Sequence, residues 1–75
     1  MNNSFYLLCE ISKKNGWDVP LSEERLIADK PLLEEYIDGL LIDELVACGL
    51  NANDEPNQYG VEIETAINYY NRYRL

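Results

Sequence analysis

Between residues 31 and 48 the apolar side chains recur at helical spacing. Leu33, Ile37, Leu40, Leu41, Leu45 and Cys48 form one stripe, widened by Leu32 and Tyr36. Glu34, Glu35, Asp38, Asp43 and part of Glu44 fall mainly outside it. Pro31 suits the first position of such a helix, where its missing N–H costs nothing. Gly49 is placed as its C-cap, with Leu50 available for the accompanying apolar contact. Gly39 is the weak point, costing about 1 kcal/mol against alanine inside a helix. It marks a kink, a close helix crossing or a break into two helices.

The flanking segments extend this reading. Residues 4–15 read as a helix capped by Ser4, with Phe5, Leu8, Cys9 and Ser12 on one face and Leu7 and Ile11 beside them. Residues 5–9 alone would also suit a buried strand. The end signals favour the helix: Lys13 and Lys14 lie in its last turn and Gly16 follows as a C-cap. Residues 17–21 form a connector, with Val19 extended before Pro20 and Trp17 folded back as a lid on the core rather than exposed for a ligand. A short helix opens at Ser22, with Glu23 and Glu24 in its first turn and Leu21 stapled to Leu26. Turn formers fill residues 51–58. A last helix runs from Tyr59 or Gly60 to Tyr73, with Ile63, Ala66, Ile67, Tyr70 and Tyr73 on one face.

The expected fold is therefore all-α. Residues 1–75 form a single helical domain, a compact small bundle of three major helices plus one short helix. A chain of this length buries only about 60% of its unfolded surface, so it has one small core. The expected core is Phe5, Leu8, Ile11, Trp17, Leu26, Leu33, Ile37, Leu41, Leu45, Ile63, Ile67 and Tyr70.

Composition excludes several functions. Fourteen Asp and Glu stand against six Lys and Arg, for a net charge of −8. Direct binding to nucleic acid or to an anionic membrane surface needs clustered positive charge, so neither is expected. The longest apolar run, residues 5–9, is too short for a membrane span and lacks the flanks of a secretion signal, which points to a cytoplasmic protein. Histidine is absent, the usual general acid–base group, and no nucleophile or phosphate-loop motif occurs. No enzyme activity, cofactor or metal is expected. Cys9 and Cys48 lack the spacing of a zinc site and read as two reduced, buried thiols. The loop Asn51-Ala52-Asn53-Asp54-Glu55 alternates oxygen ligands but lacks the glycine and glutamate that a calcium loop requires.

The negative charge is unevenly placed. Residues 17–56 hold eleven acids and two bases, a balance of −9, whereas residues 1–16 carry +1 and residues 57–75 are neutral. The candidate partner-binding residues are Glu23, Glu24, Glu34, Glu35, Asp38, Asp43, Glu44, Asp54 and Glu55. Glu34 and Asp38, one turn apart, set two carboxylates on one face and imitate a run of phosphates. The competing reading is a solvated face that only confers solubility. Size and charge match those of immunity proteins, antitoxins and inhibitors made by phages or mobile elements. The expectation is a small acidic module, inhibitor-like or a DNA mimic, that neutralises or regulates a basic protein partner, nucleic-acid-binding proteins included. The alternative is a homodimeric structural or adaptor protein. Its candidate interface is Tyr59, Tyr69 and Tyr73 with Leu32, Ile42 and Val46.

Overall fold

Ser22 and Asp29 start two helices within a few residues of each other. The Ser22 hydroxyl accepts from the Arg25 N–H at 3.1 Å, and the Asp29 carboxylate accepts from the Leu32 N–H at 3.2 Å. Each satisfies an N–H that a helix start leaves without a partner. The computed structural model describes residues 3–74, and their helices are α1 (Asn3–Lys14), α2 (Glu23–Ala28), α3 (Lys30–Glu34), a π-helical segment (Glu35–Leu41), α4 (Ile42–Cys48) and α5 (Gln58–Asn71). The chain is an all-α small bundle, as its periodicity predicts.

α1 begins one residue earlier than expected, so Ser4 lies inside its first turn rather than capping it. Its C-terminus closes as anticipated. Gly16 has φ +74°, the Trp17 N–H donates to the Ser12 carbonyl at 2.8 Å, and the Gly16 N–H donates to the Lys13 carbonyl at 3.3 Å. This is the Schellman pattern, and its left-handed residue favours glycine. Leu21 departs from expectation. It is 83% exposed while Leu26 is fully enclosed by the main core, so no apolar surface is left for a staple to cover.

Residues 30–48 form one continuous helix, because Glu34, Glu35, Leu41 and Ile42 all keep right-handed helical dihedrals. Gly39 therefore marks neither a break nor a second start. It lies within the π-helical segment, where the Ile42 N–H reaches back five residues to the Ile37 carbonyl. A Cβ at Gly39 would meet the Trp17 ring at 3.2 Å. The absent side chain gives the indole its seat, so Trp17 covers the core edge as expected.

α5 is capped by Asn57, whose side-chain oxygen accepts from the Gly60 N–H at 2.8 Å, and it ends at Asn71 rather than at Tyr73. Before it, the Asn51 side-chain oxygen accepts from the N–H groups of Asn53 and Glu55, and Asp54 takes φ +60°. The Asn51 amide oxygen thus organises its own loop. Among the described residues no group of three or more potential ligands could hold a metal ion.

The core consists of Leu8, Ile11, Leu26, Leu33, Tyr36, Ile37, Leu40, Leu41, Ile63, Ala66 and Tyr70. Phe5, Trp17, Leu45 and Ile67, expected inside, are partly buried at its edge, while Tyr36, Leu40 and Ala66 take interior places. Both thiols are free, but Cys9 is only half-buried and Cys48 is exposed. Cys48 closes α4 on its solvent side, while the adjacent Gly49 is buried against Gly60. No helix among the described residues is long and apolar enough to cross a membrane.

Candidate protein-binding surface

The acids of residues 17–56 divide by what their carboxylates already hold. Glu44 is inside the protein, at 4% exposure, rather than on the binding face. It is the one candidate acid that the structure removes from the surface. Its carboxylate accepts from the Lys14 ammonium, from the Tyr59 hydroxyl at 2.7 Å and from the Asn15 side-chain amide at 3.3 Å. Burial opposes its ionised form, but these hydrogen bonds outweigh burial and hold its pKa below the usual value. The same contact raises the Lys14 pKa. Burial, reinforced by Glu44, pushes the Tyr59 hydroxyl up to about 12. Glu44 is thus a clasp joining α1, α4 and α5.

Glu23, in the first turn of α2, accepts from the Tyr70 hydroxyl at 2.7 Å. Burial first, and then this carboxylate, raise the Tyr70 pKa. The Glu34–Asp38 pair stands on one helix face, as its spacing predicts, and it carries the protein's own Arg74. The guanidinium makes two parallel contacts to Asp38, at 3.2 and 3.3 Å, and approaches Glu34 at 4.0 Å. The proposed phosphate-like row is therefore already matched by a cation. Both carboxylates keep 53% of their side-chain surface in water while Arg74 keeps 29%, so Arg74→Ala is expected to cost about 1 kcal/mol in thermal denaturation, and less in high salt.

Of the nine candidate acids, Glu24, Glu35, Asp43, Asp54 and Glu55 remain. All five are exposed, and among the described residues their carboxylates have no ion-pair or hydrogen-bond partner. No protein-family model, curated protein or solved structure matches the chain. The functional reading therefore rests on this surface alone.

The tyrosines serve largely internal contacts. Tyr59 is held by Glu44. Tyr69 packs edge-on against both Tyr70 and Tyr73, and the Arg72 guanidinium lies 4.6 Å from the Tyr69 ring centre. Tyr59, Tyr69 and Tyr73 are each half-buried. Of the apolar residues named with them, Leu32 is half-buried, while Ile42 and Val46 are exposed one turn apart on α4. Sequence reasoning left Asp18 out of the candidate set. Asp18 is exposed beside Trp17, and nothing in its local pattern distinguishes it from a turn residue.

Proposed function

We propose that this chain is a non-enzymatic, acidic protein-binding module that neutralises or regulates a basic protein partner. One observation carries the reading: Glu24, Glu35, Asp43, Asp54 and Glu55 stay exposed and unmatched within a segment of net charge −9. Unmatched like charges on a small fold repel one another and oppose compaction. They also attract a basic surface and repel nucleic acid. The Arg74 contact supports the reading, since this helix face already accepts a guanidinium. Under it the protein works by occupying a partner's basic surface, in the manner of an inhibitor or DNA mimic, within the cytoplasm.

The test is capture of a partner on the immobilised protein at low and high salt, repeated with Glu24→Lys, Glu35→Lys and Asp43→Lys combined. These side chains hold no internal contact, so the fold should survive. A basic protein should be retained at low salt, released at high salt and lost with the triple variant. Equal retention by that variant would refute the acidic surface.

The alternative is a homodimer. It is supported by the exposed Ile42 and Val46, with the tyrosine-rich end of α5 as its other candidate face. A purely monomeric mass at high concentration and high salt, where charge repulsion is screened, would eliminate it.

A further inference from the structure

A shallow, open cleft of about 460 Å³ lies between the connector after α1 and the junction of α3 with the π-helical segment. Gly16, Trp17, Asp18, Leu32, Glu35 and Tyr36 line it. Two rings meet there: Trp17 and Tyr36 stand edge to face, 5.1 Å between centres and 73° between planes. The arrangement is fixed from behind. The Tyr36 hydroxyl donates to the Asp18 carbonyl, tying the connector to the helix, and the indole rests where Gly39 has no side chain. The entrance is open at Gly16, where a side chain would meet nothing within 4 Å.

Asp18 and Glu35 add the polar part. Both are exposed, and among the described residues neither carboxylate has an ion-pair or hydrogen-bond partner. Burial, then Asp18, then Glu35 raise the Tyr36 pKa, in keeping with two charges near its hydroxyl. The lining is mostly polar, with a small apolar floor from the half-buried Trp17 and Leu32, because Tyr36 itself is buried. With two unmatched carboxylates beside it, this suits an occupant that is apolar along a short stem and cationic at its tip. An anion would meet two like charges. A neutral apolar side chain would desolvate the carboxylates without replacing their hydration.

We infer that this cleft receives an arginine or lysine side chain of the protein partner, the stem against Leu32 and Trp17 and the cation between Asp18 and Glu35. The inference rests on the acidic-module reading and names its anchor point. It moves that point away from the Glu34–Asp38 row, which Arg74 already occupies, to Asp18 on the connector and Glu35 on the neighbouring face of the helix.

Trp17 is the sole tryptophan, so its emission reports this cleft directly. The protein is titrated with N-acetyl-arginine amide and with its neutral isostere N-acetyl-citrulline amide, at constant ionic strength. Trp17 fluorescence and backbone amide shifts are followed. The arginine compound should give saturable changes confined to residues 16–18 and 32–36, and the citrulline compound none. The Asp18→Asn, Glu35→Gln double variant should bind about fivefold more weakly with an unchanged melting temperature, since neither carboxylate supports the fold. Glu24→Gln, Asp43→Asn should bind like the parent. An equal response to citrulline, unchanged affinity in the Asp18/Glu35 variant, or shifts spread over every acid would overturn the site. Salt-sensitive partner capture unaffected by the Asp18/Glu35 variant would refute the cleft and leave the module reading standing. Saturable arginine binding with no salt-sensitive partner would refute that reading and keep the cation site.

Discussion

Gly60→Ala is expected to destabilise the protein by about 3 kcal/mol, lowering its melting temperature by roughly 15 °C. A Cβ at position 60 would lie 2.0 Å from the Gly49 carbonyl oxygen and 2.9 Å from its carbonyl carbon. Both are backbone atoms, so no side-chain rotation relieves the overlap. The end of α4 and the start of α5 would have to separate. That movement strains the Asn57 N–H bond to the Gly49 carbonyl, 2.9 Å, and the Asn57 side-chain bond to the Cys48 carbonyl, 3.1 Å. Helix propensity alone predicts the opposite sign, a gain of about 1 kcal/mol for alanine over glycine. Thermal or urea denaturation of this one variant separates the two. A rise in melting temperature would show that the helix ends do not touch. Gly49 has φ −99°, so it is needed for this approach and not for the left-handed cap that its position suggests.

Glu44→Gln is expected to cost about 2 kcal/mol at neutral pH. The full penalty of breaking a buried ion pair does not apply, because Lys14 keeps about half its side-chain surface in water. The signature is in the pH dependence. The folded-state pKa of Glu44 is depressed, so its contribution is complete above the unfolded carboxylate value, near 4.3, and is lost as pH falls through the lower folded value. Lys14 and Tyr59 are both shifted upward and keep their protonation across that range. The stability gap between parent and variant should therefore be constant above about pH 5 and close as the solution is acidified further. Taking the difference cancels the relief of acidic repulsion, which both proteins share. A gap independent of pH would mean that the Glu44 charge contributes nothing.

Glu44 also shows what sequence reading can and cannot reach. Its charge sets it partly outside the apolar stripe, yet eleven residues beyond Leu33 it stands only about 20° from that leucine on an α-helical wheel, within the stripe. The period places it inward and its charge argues outward. The decision belongs to Lys14, Asn15 and Tyr59, which lie 30, 29 and 15 positions away. Leu21 and Cys48 fail in the opposite direction. Both are apolar enough to bury, and both are left exposed: Leu21 because Leu26 is already enclosed by the main core, Cys48 because the inward place beside α5 is taken by Gly49.

The caps at Ser22 and Gly16, the helical stripes and the all-α class were legible because each depends on groups within about five residues along the chain. The concentration of acid in the middle of the chain was legible for the same reason. Tertiary structure decided which acids remain available. Folding brings Arg74 onto Asp38, Lys14 onto Glu44 and Tyr70 onto Glu23, and sets Asp18 and Glu35 beside a pair of aromatic rings. Local spacing orients a side chain on its own helix. Its solvation and its partners are set by what the other helices bring against it, and those distances are absent from any single segment.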